Sequence, residues 1–122
     1  MADENWNPFF RSLWEYCSTK PSAIEDHPWG ETVFKVRGKV FAFLGNPDSA
    51  TVTVKVPPGD HDILLALPHI HFASYVGRFG WITVSIEDEE TLSLALDLVD
   101  QSYDLIAHPK KRGKRNTESP NP

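Results

Sequence analysis

Residues 28–43 (PWGETVFKVRGKVFAF) and 75–84 (YVGRFGWITV) decide how this 122-residue chain folds. Each sets a tryptophan beside a glycine and runs into a strand of alternating character. In the first stretch, residues 32–37 and 40–44 read as the arms of a hairpin. Gly38-Lys39 suits a two-residue turn of type II′, which wants glycine at its first central position. Val36 then faces Phe41 and Phe34 faces Phe43, so Phe34, Val36, Phe41 and Phe43 make the core side. Lys35, Arg37, Ala42 and Leu44 point the other way. A turn one residue earlier, at Arg37-Gly38, leaves the same faces. In the second stretch Gly77-Arg78-Phe79-Gly80 is a turn. Residues 81–86 are a strand with Ile82, Val84 and Ile86 inward and Trp81, Thr83 and Ser85 outward.

Working outward, residues 8–18 predict a helix with Asn7 as N-cap and Pro8 at the first helical position. Phe9, Leu13 and Tyr16 or Cys17 share its apolar face, and Pro21 ends it. Residues 22–30 read as a loop. Residues 50–56 alternate cleanly, with Val52, Val54 and Val56 inward and Thr51, Thr53 and Lys55 outward. Asp60 opens a short helix that Pro68 stops, and residues 71–76 form a short strand. Asp88 caps the last helix, with Glu89 and Glu90 in its first turn. Leu92, Ala95, Leu96, Val99, Tyr103 and Ile106 make its apolar stripe. The order is α-β-β-β-α-β-β-α. It predicts an α+β two-layer sandwich, an antiparallel sheet with helices on one face and the other face partly open.

Composition bounds the class. The length fits one domain, residues 1–108, able to bury roughly 65% of its unfolded surface without staples. Cys17 is the single cysteine, so no disulfide within the chain is possible and a reducing, cytoplasmic setting is expected. The start, MADENWNPFF, lacks the basic and apolar regions of a signal peptide, and no run is apolar enough for a membrane span. Residues 1–107 hold 7 Lys+Arg against 16 Asp+Glu, a net of −9, while residues 108–122 hold 5 against 1, a net of +4. A globule so acidic repels nucleic acid at long range unless a local basic surface intervenes. Residues 109–122 carry no large apolar side chain and read as a disordered basic tail.

Pro28-Trp29-Gly30, Val33-Phe34-Lys35-Val36, Gly38-Lys39-Val40-Phe41-Ala42, Lys55 with Pro57-Pro58, Gly77-Arg78, Gly80-Trp81-Ile82-Thr83-Val84 and Ser102-Tyr103 jointly resemble the MmcQ/YjbR family. The resemblance runs over roughly residues 9–108. It implies a compact α+β fold likened to CyaY and to secretion chaperones. It also implies a nominal DNA-binding role, with no defined reaction, cofactor or catalytic residue.

The candidate surface for nucleic acid or another partner is the outward sheet face, with Lys35, Arg37, Lys55 and Trp81, bordered by Arg78 and Trp29 in loops. Cations and hydroxyls around aromatic rings hold phosphates and stack bases. The plainer reading is a solvated strand face with tryptophans that pack. In the tail, Lys110, Lys111, Arg112, Lys114 and Arg115 are further candidates. Five phosphate contacts would cost about 500-fold in affinity between 50 and 200 mM salt. Gly77-Arg78-Phe79-Gly80-Trp81 is not a phosphate loop, because no Lys-Ser/Thr pair or helix follows it. The five histidines lack metal-ligand spacing and the chain shows no nucleophile–base constellation, so no metal, no cofactor and no enzymatic activity are expected, and an enzyme of unknown type ranks third among the readings, behind a binding domain and an adaptor. A second reading is a protein–protein adaptor or chaperone-like module that uses the acidic final helix, whose Asp97, Asp100 and Asp104 extend the charge of its first turn.

Overall fold

Asn7 and Pro8 start the first helix as their chemistry requires. The Asn7 side chain accepts from the Phe9 N–H at 2.8 Å, and α1 runs from Pro8 to Ser18. The computed structural model describes residues 5–73 and 76–109. The Trp29 and Arg78 side chains lie outside the described set, as do Lys110, Lys111, Arg112, Lys114 and Arg115 of the tail. After α1 come β1 (Ile24–Asp26), β2 (Thr32–Val36), β3 (Lys39–Leu44), β4 (Thr51–Lys55), α2 (His61–Leu65), β5 (Ile70–Phe72), β6 (Trp81–Ser85) and α3 (Glu89–Ala107). The α+β class and the predicted order both hold. One edge strand, β1, is added where the sequence reads as a loop; three residues are too few to show a period.

The six strands form one antiparallel sheet in the order β1-β2-β3-β4-β6-β5. Phe10, Leu13 and Cys17 of α1 and Ala95, Leu98 and Val99 of α3 bury against Val52, Val54, Ile82 and Val84. Burying each large member contributes about 1.5–3 kcal/mol, so this layer anchors the domain. On α1 the deepest aromatic is Phe10, 1% exposed, in place of the expected Phe9. Trp6 stands edge-on to it at 4.9 Å, and Phe9 packs half-buried against the core. On α3 the buried face is centred on Leu98 and Ser102, with Leu92 and Leu96 at its margins. Asp88 caps α3 in a reciprocal box with Thr91, each side chain satisfying the other's backbone N–H.

The hairpin differs from expectation in two linked ways. Arg37 and Gly38 both have positive φ, +56° and +81°, so the turn is of type I′ at Arg37-Gly38. A β-bulge then interrupts the ladder: Lys35 pairs with Val40 but Phe34 with Ala42, so Phe41 is the extra residue. Phe41 and Ala42 are both buried on the helix side, and every later residue of β3 is turned over. Leu44 therefore joins the core, and Phe43 moves to the outer face. The bulge also breaks the β3–β4 ladder beyond Ala42–Val54. Ser102 repairs it from α3, since its Oγ accepts from the Lys55 N–H at 3.0 Å and donates to the Phe41 carbonyl at 2.7 Å.

Candidate binding surface on the outer sheet face

Because the bulge turns β3 over, the outer face carries an aromatic pair that alternation alone does not predict. Phe43 meets Trp81 edge-on with ring centroids 5.4 Å apart. Beside them, Thr53 and Thr83 oppose each other across β4 and β6 and share a hydrogen bond of 2.7 Å. The segment before β2, the β3–β4 connection and the chain after β5 rise around this floor. They enclose an open concavity of about 890 Å³, with Phe43, Thr53 and Thr83 beneath and Glu31, Asn46 and Val76 among its walls. Glu31 is the one charged group of the described lining.

Of the predicted site residues whose side chains are described, Lys35, Arg37, Lys55 and Trp81, none is in the described lining. Lys35 faces outward but is held by Asp26, with Nζ 2.8 Å from Oδ2. That hydrogen bond, helped by the His27 N–H, keeps the Asp26 carboxyl below the usual aspartate range. Arg37 is exposed in the turn. Lys55 is half-buried, is the cross-strand partner of Trp81, and has no ion pair among the described residues. Trp29 lies in a short 3-10 turn before β2 and Arg78 in another before β6. The structure thus brings Lys55 and Trp81 together, engages Lys35 elsewhere and leaves Arg37 at the hairpin tip.

Histidines make two arrangements worth weighing as chemistry. Glu25, His27 and Thr32 stand in acid–base–hydroxyl order, with 2.9 Å between Glu25 and Nε2 and 3.4 Å between Nδ1 and Thr32 Oγ1. The nearby Gly30 and Glu31 N–H groups are bonded to the His27 and Pro28 carbonyls, so neither is free to hold an oxyanion. His71 Nε2 lies 3.0 Å from Ser85 Oγ on the exposed edge. Among the described residues no three His, Cys, Asp or Glu side chains converge as a metal site.

On the opposite side of the molecule, the acidic face of α3 is partly committed to structure. Asp100 accepts from Lys20 Nζ at 2.5 Å and from the Tyr16 hydroxyl at 2.8 Å. Lys20 also lies over the Tyr16 and Tyr103 rings, and the Tyr103 hydroxyl donates to the Pro21 carbonyl at 2.6 Å. These contacts tie the end of α1 to α3. Asp97 and Asp104 remain exposed.

A family model described as YjbR matches residues 18–105. The chain belongs to the YjbR family. The YjbR span contains the bulged hairpin, the Phe43–Trp81 pair and Ser102, and it stops short of the basic tail. No curated relative matches. Among solved structures, a structural-genomics target from Pseudomonas syringae is similar, with a TM-score of 0.64 and 23% identity over 79% of this chain and 97% of that one. At that identity the likeness speaks for the fold alone. Among the described residues no helix is long and apolar enough to cross a membrane.

Proposed function

We propose that this YjbR-family chain is a binding domain without a reaction of its own, and that the outer-face concavity takes a neutral or cationic segment of a protein partner. One observation carries this reading: the described lining offers hydroxyls, an aromatic ring and the Glu31 carboxylate, and no cation. A phosphate backbone needs cations to replace its counterions, and a net charge of −9 over residues 1–107 opposes it at range. An open trough on a sheet face, rimmed by loops, suits an extended peptide. The adaptor role favoured here uses the sheet, since Asp100 on the acidic helix is already engaged by Lys20 and Tyr16. The compartment proposed is the cytosol, supported by a free, buried Cys17.

The nucleic-acid reading keeps one specific support, the cross-strand pair Lys55 and Trp81, with Arg37 exposed in the hairpin turn. It places the ligand on the row beside the concavity, with the tail adding salt-sensitive contacts. Chemical-shift mapping separates the two. A library of short peptides should perturb the amides of Glu31, Phe43, Thr53 and Thr83, and Thr53→Trp should abolish the effect. A single-stranded oligonucleotide that binds in 50 mM salt, survives Thr53→Trp and is lost when Arg37 and Lys55 become Ala would overturn the peptide reading.

A further inference from the structure

The two edges of the sheet are built differently. Along β1, Glu25 is paired with His27 at 2.9 Å and Asp26 with Lys35 at 2.8 Å. Charged side chains along an edge discourage a further strand. Along β5 no such charges stand. Phe72 is 60% exposed, and its ring lies against Gly77, where an added Cβ would come within 2.5 Å of it. His61 stands edge-on to Phe72 at 6.0 Å. Ile63, Leu67 and Phe79 are exposed as well, so four of the five exposed large apolar side chains among the described residues fall between positions 63 and 79.

The main chain of β5 is open in a defined pattern. The Ser85 N–H donates to the His69 carbonyl at 2.9 Å, which sets the phase of the β5–β6 ladder. Alternation then places Ile70 and Phe72 in the pairs that do not bond to β6, so their N–H and C=O groups point outward. The Leu67 carbonyl takes the Ile70 N–H at 3.3 Å. The Ile70 carbonyl and the Phe72 N–H and carbonyl have no partner among the described residues.

We infer that the β5 edge accepts an extended segment of a protein partner as a seventh strand, apolar at its centre over Phe72 and basic at both ends. The central residue follows from the exposed ring, and the backbone bonds from the three open groups. The basic ends follow from charge. Asp62, its side chain fully exposed, adjoins His61 at the Phe72 end, and Glu87 stands 3.8 Å from His69 at the Ile70 end. Lys55 lines the same recess as Asp62 from the β4 side and offsets part of that charge. A second copy of this chain, paired antiparallel on the same edge, would bring its own Asp62 against Glu87, and like charges oppose such pairing. No residue of β5 lines the outer-face concavity, so this inference stands or falls independently of that site.

The test uses the full chain and a fluorescein-labelled peptide, Lys-Thr-Val-Leu-Val-Thr-Lys, beside its Glu-flanked counterpart. The Lys-flanked peptide should bind about ten-fold more tightly or better, and should slow hydrogen exchange at the Phe72 amide. Phe72→Pro removes the outward N–H without touching a bond to β6, so it should weaken binding about ten-fold while the fold survives. If that variant does not fold, the exchange measurement on the unaltered chain decides. No binding at millimolar peptide, equal binding of both peptides, or an unprotected Phe72 amide overturns the inference. A dimer that Phe72→Pro splits assigns the edge to a second copy and overturns it too.

Discussion

The Ser102 hydroxyl donates to the Phe41 carbonyl at 2.7 Å from a residue with no exposed surface. The same oxygen accepts from the Lys55 N–H, so one side chain of α3 closes the gap that the β3 bulge opens in the sheet. Ser102→Ala leaves a buried donor and a buried acceptor unmade. The expected loss is about 1–3 kcal/mol. For a domain of this size that lowers Tm by roughly 5–15 °C, and a thermal melt that does not move would show the bridge to be incidental.

The junction of α1 and α3 sets an alkaline limit on stability. The hydrogen bond to Asp100, with burial, raises the Tyr16 hydroxyl above its ordinary value. Burial alone would lower Lys20, but the Asp100 hydrogen bond and charge outweigh it and raise the ammonium. Burial pushes the Cys17 thiol up to about 12 from 9.0. A group whose folded pKa is raised contributes stability that is full below its unfolded pKa and lost as pH rises through the folded one. All three act in the same direction. Urea midpoints should fall from about pH 9 upward. Cys17→Ala should remove the earliest part of that fall, and Tyr16→Phe or Lys20→Met the later part. A midpoint independent of pH up to 11 would contradict the assignment.

The turn of the hairpin is open to improvement. Arg37 holds φ at +56° without being glycine, and Gly38 sits at +81°. Arg37→Asn supplies the pair that type I′ turns prefer and should stabilise by about 0.5–1 kcal/mol. Gly38→Ala should destabilise by about 1–2 kcal/mol through backbone strain, since an added Cβ meets nothing within 4 Å. Equal Tm values for the two variants would argue for a different turn.

Two phenylalanines separated by one alanine should respond very differently. Phe41 is 0% exposed and stands edge-on to Tyr103 at 5.2 Å. Phe41→Ala should cost about 3–5 kcal/mol. Phe43 is half-buried against Trp81 on the outer face, and Phe43→Ala should cost about 1–2 kcal/mol. A double-mutant cycle of Phe43 and Trp81 should show a coupling of about 0.5–1.5 kcal/mol. Similar losses at both positions would place the two rings in one core.

Much of the architecture is legible in the residues. Asn7-Pro8 and Asp88-Glu89-Glu90 mark helix starts because capping is a local interaction between a side chain and an N–H two or three residues on. Val52, Val54 and Val56 mark a half-buried strand because its period is two. The candidate surface is less legible. Lys35 reads as a free outward cation, yet Asp26 engages it across β1, a strand whose three residues give no periodic signal. Phe43 reads as core and lies outside it. The positions of Trp81 and Lys55 follow from alternation, but the trough is lined by residues that lie far apart in the chain, among them Glu31, Asn46 and Val76.

The sequence by itself determines the helix caps, the strand periods, the element order and the family, since each rests on contacts a few residues apart or on an ordered set of motifs. Only the tertiary structure decides which face of β3 is inside. That choice turns on a single inserted residue, Phe41, accommodated because Ser102, far along the chain, supplies the missing hydrogen bonds. A one-residue shift reverses every later side chain of a strand. The make-up of the outer sheet face is therefore set by a contact across 61 positions of sequence.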